Sequence, residues 1–122
     1  PNNIKANMDK GVTLQNLELP SQAIQMYENV LSLEPENIDA LINMGSALHT
    51  LGKYTDAISY YNTVLRLDEK NTLALAYKGL SLGESGNISM AIKYFRKSLS
   101  IDSDYDLAQI SLSTAKKFIQ SN

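Results

Sequence analysis

Cysteine is absent from this chain of 122 residues, and histidine occurs once, as His49. Without thiols there is no disulfide framework and no thiolate metal site. His49, with only Asp39 or Asp9 to orient it, makes no recognised nucleophile and base arrangement. The chain is therefore expected not to be an enzyme and to carry no cofactor or metal. The acidic pairs Glu34 with Glu36 and Asp102 with Asp104 lack the ligand spacing and the glycine of a calcium loop, and read as solvated turns.

An excess of positive charge is missing too. Eleven Lys and Arg stand against thirteen Asp and Glu, a net charge of −2 with a pI near 5.3. No basic stripe rises above the background of a solvated helical surface, which argues against nucleic acid as a partner. The aromatic pairs Tyr60 with Tyr61 and Tyr94 with Phe95 keep helical spacing, so they read as core packing with hydroxyls at its edge rather than a platform for bases. Long apolar runs are also lacking: charges interrupt them well short of the roughly 20 residues that cross a bilayer, and nothing reads as a signal peptide. A cytoplasmic location and no membrane contact are expected. The chain opens on Pro1 rather than Met, which is compatible with a processed or excised piece, and Asn87-Ile88-Ser89 is read as a coincidental glycosylation acceptor.

What the chain does have is a period. Gly11, Gly45 and Gly79 stand 34 residues apart, and Ala23, Ala57 and Ala91 keep the same step, with Tyr27, Tyr61 and Phe95 behind them. Leu14, Leu48 and Leu82 share the register, as do Ile24, Ile58 and Ile92, and Leu31, Leu65 and Leu99. A repeat of this length means copies of one supersecondary unit, stacked because none can bury its apolar face alone. The units are read as 4–37, 38–71 and 72–105 within a single domain spanning 1–122, after a polar lead of Pro1, Asn2 and Asn3 and before a tail from Asp106 too short for a fourth unit.

Within a unit, Leu41, Met44, Leu48 and Leu51 recur at three and four residues, and Ala57, Ile58, Tyr61, Val64 and Leu65 do so after a break, which predicts two antiparallel helices. Gly52 and Gly86 stand where a helix needs a left-handed residue after its end, a place taken by Glu18 in the first unit, and Pro20 suits a first helical turn. Asn37 and Asn71 can cap the following helix, and Pro35 stops the one before it. Helices are expected over 4–17, 21–34, 38–51, 54–67, 72–85 and 88–101, with a capping helix over 105–119 that turns Ala108, Leu112, Ala115 and Ile119 inward. The glycine of each first helix is read as lying opposite the alanine of the second, and Ala6, Ala40, Ala74 and Ala108 as the places where one unit abuts the last. The fold class is all-α, a solenoid of antiparallel helix pairs.

These residues carry a resemblance to tetratricopeptide repeat proteins, whose period is also 34 residues. The signature's glycine matches Gly11, Gly45 and Gly79; its later alanine and aromatic match Ala23 with Tyr27, Ala57 with Tyr61 and Ala91 with Phe95. Leu14, Leu48 and Leu82 replace the aromatic between them, Asn7, Leu41 and Leu75 hold the tryptophan place, and the terminal proline survives only as Pro35.

The resemblance implies a right-handed superhelix whose first helices line a concave groove, without catalysis. Carried over by position, the groove includes Met8, Val12, Ile42, Asn43, Ser46, His49, Leu73, Tyr77 and Leu80, with Leu107 and Ile110 extending it. An apolar strip rimmed by polar residues suits a peptide or amphipathic helix, with Tyr77 as an anchor, so the expected role is a protein-interaction scaffold or adaptor. The alternative is a structural element that forms a homo-oligomer through its groove and ends. Family members that grip acidic chaperone tails use Lys, Asn, Asn, Lys and Arg where this chain has Met8, Val12, Asn43, Leu73 and Tyr77. Only Asn43 agrees, so an acidic chaperone tail is not an expected partner.

Overall fold

Asparagine decides where helices begin. In the computed structural model, which describes residues 3–121, the side chains of Asn3, Asn37 and Asn71 each accept a hydrogen bond from the backbone N–H three residues on, at 2.9–3.0 Å. Each fills one of the donors a helix start leaves unpaired. Asn87 does the same for Met90 at 3.3 Å, a structural use of the residue in the glycosylation motif.

The described residues form seven helices and no strand: α1 (Ile4–Asn16), α2 (Pro20–Leu33), α3 (Ile38–Thr50), α4 (Tyr54–Leu67), α5 (Thr72–Glu84), α6 (Ile88–Ile101) and α7 (Asp106–Ser121). Each bound lies within two residues of the sequence expectation. Pro1, Asn2 and Asn122 lie outside the described residues.

Inside each hairpin the chain turns through one left-handed residue. Gly52 has φ 77° and Gly86 φ 98°, and the N–H after each reaches back five residues, Lys53 to the Leu48 carbonyl and Asn87 to the Leu82 carbonyl. Glu18 makes the same turn at φ 61°, where its Cβ crowds the backbone.

The hairpins close around an aromatic ring. A Cβ built on Gly45 would lie under 3.0 Å from the Tyr61 ring, and the same holds for Gly11 beneath Tyr27 and Gly79 beneath Phe95. The expectation that these glycines face the alanines is corrected accordingly: the ring fills the space a side chain would take. Tyr27, Tyr61 and Phe95 are buried, as are Ala23, Ala57 and Ala91.

Between hairpins, Ala40, Ala74 and Ala108 are fully buried where one unit meets the last, while Ala6, on the first, is exposed. Ser98 takes the register of Val30 and Val64, and its hydroxyl donates to the Thr72 carbonyl at 3.0 Å, so burial leaves no orphan polar group. Helix α7 lies against α6 through Ala115 and half-buried Leu112, which pack with Ala91 and Phe95. Ile119, expected inward, is 48 % exposed because α7 has no second helix folded back upon it among the described residues.

Glu18→Gly should raise stability by about 1 kcal/mol, the cost of a left-handed non-glycine residue, read as a higher urea midpoint at unchanged slope. Gly45→Leu should lower it by roughly 1–3 kcal/mol through overpacking, and a second change, Tyr61→Leu, should recover part of the loss. Additive losses in the double variant would mean that glycine and ring are not coupled.

Candidate functional site

First helices touch one another in series, α1 with α3, α3 with α5 and α5 with α7, whereas among the described residues α2, α4 and α6 make no such contacts. The row is therefore tighter on the first-helix side, and the stack curves toward it. The sequence-derived site residues all lie on this inner row.

Five of the nine come together. Met8, Val12, Ile42, Asn43 and Leu73 line one hollow of about 230 Å³, with Asp9 and Asp39 at its edge. Val12 is 41 % exposed and forms an open wall, while Ile42, at 5 %, is a floor sealed by Leu41, Val64 and Ala74. Ala76, in the register of Met8 and Ile42, is fully buried and offers nothing to a ligand. Asp9 pairs with Lys5 at 3.0 Å on the exposed rim.

Ser46 and His49 are held in hydrogen-bond chains. Buried Tyr27 donates its hydroxyl to Gln15 Oε1, and Gln15 Nε2 reaches Ser46 Oγ at 3.4 Å. His49 Nδ1 lies 2.7 Å from Ser81 Oγ, and the Tyr54 ring meets the imidazole edge-on at 5.0 Å. Ser81 is fully buried, an unforeseen member of the site. Burial pushes the Tyr27 phenol up to about 12 and raises Tyr61 as well, the latter helped by Tyr77 and opposed by a hydrogen bond with Ser81.

Tyr77 and Leu80 are less free than expected. Tyr77 meets Tyr61 edge-to-face at 5.9 Å and packs on two core clusters, one around Tyr27 and Tyr61 and one around Ile42 and Ala74, so only part of its ring is available. Leu80 packs against the Ala91 and Phe95 cluster. It also lines a separate hollow of about 570 Å³ between α5, α6 and α7, with Gly83, Phe95, Ile110 and Phe118. The signal for that hollow was in the register: where earlier units place Gln15 with Tyr27 and His49 with Tyr61, the third has Gly83 with Phe95, removing both the side chain and the hydroxyl that would fill the space. Leu107 is half-buried and Ile110 is 66 % exposed.

Models of the tetratricopeptide repeat match residues 18–79, just over half of the chain, and residues 74–105. The chain belongs to the tetratricopeptide repeat family. Its fold is similar to that of the first such domain of human RPAP3, with 21 % identity, a TM-score of 0.90 and coverage of 97 % of this chain and 93 % of that one. The Sgt2 domain of Aspergillus fumigatus has 22 % identity, a TM-score of 0.89 and coverage of 96 % and 79 %. The first domain of Spaghetti, in a structure with the HSP90 peptide SRMEEVD, has 20 % identity, a TM-score of 0.88 and coverage of 96 % and 93 %. No curated protein matches the sequence. Among the described residues no helix is long and apolar enough to cross a membrane.

Burial lowers the pKa of His49 below its ordinary 6.5, opposed by the nearby Glu84 carboxylate. The unfolded chain then binds the proton more tightly than the folded one, so stability rises with pH toward 6.5 and is lost as pH falls below it. His49→Gln should flatten the dependence of the urea midpoint on pH just below the ordinary imidazole value of about 6.5. An unchanged slope would place the effect elsewhere.

Proposed function

We propose that this protein is a protein-interaction module that holds a partly apolar peptide or amphipathic helix against the inner face of its first helices. The observation that carries the reading is the hollow lined by Met8, Val12, Ile42, Leu73 and Asn43, with Asp9 and Asp39 beside them. Apolar walls supply contact area, and one amide can pair with a peptide backbone and fix its register. Units 4–37, 38–71 and 72–105 would form one domain, with α7 closing its end.

The relatives give the reading a class and also a contrast. The Spaghetti domain is seen with an acidic HSP90 peptide, and the second RPAP3 domain is in complex with the HSP70 peptide SGPTIEEVD. Here the two lysines and the arginine expected of such a clamp are replaced by Met8, Leu73 and Tyr77. A bound glutamate and terminal carboxylate would lose water without gaining a cation, which burial penalises heavily. Apolar side chains therefore take the place of acidic tails as ligands of this groove.

Selection of peptides from a random library on the immobilised protein should yield sequences with recurring apolar positions. Val12→Asp, at an exposed site that leaves the core intact, should weaken the selected peptides at least about tenfold while the melting temperature stays within a few degrees. In calorimetry, SRMEEVD should show no micromolar affinity. Tight SRMEEVD binding, or selected peptides indifferent to Val12→Asp, would overturn the groove assignment. A concentration-dependent oligomer in light scattering, dispersed by Val12→Asp, would replace it with self-assembly.

A further inference from the structure

Lysines gather at one junction. Lys78 shares its register with Lys10 and Met44, while Lys97 stands in that of Asn29 and Thr63 and Lys70 in that of Glu36 and Asp104. The structure brings the three together with Leu65, Leu75 and Tyr94 around a hollow of about 420 Å³ between the second and third hairpins. By helical register Lys78 and Leu75 lie on the side of α5 opposite the groove positions, and the hollow shares no lining residue with the groove.

The ammonium groups converge on one phenol. Lys78 Nζ donates to the Tyr94 hydroxyl at 2.9 Å and lies 4.3 Å from the ring centre, and Lys97 Nζ is 4.9 Å from it on the same ring. Both contacts leave ammonium hydrogens unused. Glu69 is the single acid in the lining, and among the described residues none of the three lysines is in a salt bridge. The Tyr94 phenol responds to the concentrated charge: its pKa is lowered, first by the Lys78 hydrogen bond and further by Lys78, Lys97 and Lys93 as charges, against the opposing effect of burial. The floor is apolar, with Leu75 almost fully buried and Leu65 half-buried.

We propose that this hollow binds an acidic peptide segment, pairing its carboxylates with Lys70, Lys78 and Lys97 and seating an adjacent aliphatic side chain on Leu65 and Leu75. Three mobile point charges accept carboxylates at varied geometry, and a positive site on a chain of net charge −2 selects its ligand by contrast with the surrounding surface. A nucleic acid strand would need cations at a succession of phosphates and would leave the aliphatic floor unused. The inference stands on its own residues, whatever the groove binds.

The ¹⁵N-labelled full chain titrated with the peptide Ac-LEELEE-NH2 should show amide shifts at Lys78, Tyr94, Lys97 and Ser100, and the neutral Ac-LQQLQQ-NH2 should bind about tenfold more weakly or worse. The double change Lys70→Gln with Lys97→Gln, both at exposed positions, should weaken the acidic peptide by about tenfold, whereas Val12→Asp in the groove should leave it unchanged. Circular dichroism checks that the fold persists in both variants. Equal binding of the two peptides, shifts confined to Met8 and Asn43, or no saturable shift at all would overturn the proposal. Tighter binding of a ten-nucleotide oligothymidine at the same amides would reassign the hollow to nucleic acid.

Discussion

The separation of the two helices in each hairpin is set by an aromatic ring lying on bare backbone. Gly11, Gly45 and Gly79 leave a space one side chain wide, and Tyr27, Tyr61 and Phe95 occupy it completely. The ring is rigid and its contact area large, so the helices can neither approach further nor part without losing it. Alanines at Ala23, Ala57 and Ala91 keep the second helix close enough for the ring to reach across. The fourth register shows the same dependence by exception: among the described residues no second helix follows α7, and the place of the glycine is held by exposed Ser113.

A ring that crosses the hairpin delivers its far end to the inner row, and this joins core packing to the surface proposed for binding. A buried phenol needs a partner. Tyr27 finds Gln15, which extends to Ser46, and Tyr61 sits beside Ser81, which holds His49. The polar side chains of the inner row in the first two hairpins are thus partly committed to satisfying the core, and what remains open to a partner is the apolar surface around Asn43. In the third hairpin the demand disappears with the hydroxyl. Phe95 needs no acceptor, Gly83 supplies none, and the space between α5, α6 and α7 is left apolar and unfilled.

The helices, their caps and their turns were legible because each is written in residues within four or five positions of one another: Asn37 and Asn71 before a helix, Gly52 and Gly86 after one, apolar residues at three and four in between. The depth of a side chain across the row was not. Ile42 and Ala76 stand at positions that face the groove by register, yet they are buried, because the neighbouring first helix closes over one flank of the wheel and a period in one helix does not record where its neighbour lies. The partner of each glycine is hidden in the sequence for a related reason. Glycine and alanine recur in step, but so does the aromatic, and only the crossing of the two helices decides which one fills the gap. Ser81 gives no periodic signal in the sequence, and only the imidazole and phenol that converge upon it identify it.

Locality of contact explains why the two faces of the stack can carry different chemistry. Each hairpin meets only its neighbours, so a substitution at one junction is felt at that junction and the remaining interfaces keep their stability. Lys78, like Lys10 in the same register, stands where the second hairpin has Met44, and at the second junction its ammonium finds the Tyr94 hydroxyl and ring. The positions that hold the fold are therefore bound to the 34-residue step, and the candidate sites gather residues that depart from it: Met8 beside Asn43 in the groove, and Lys70 with Lys97 behind it. A repeated residue reports what every hairpin needs in order to pack. A residue that departs from the repeat is released from that requirement, and its chemistry is the part of the sequence that can answer to something outside the chain.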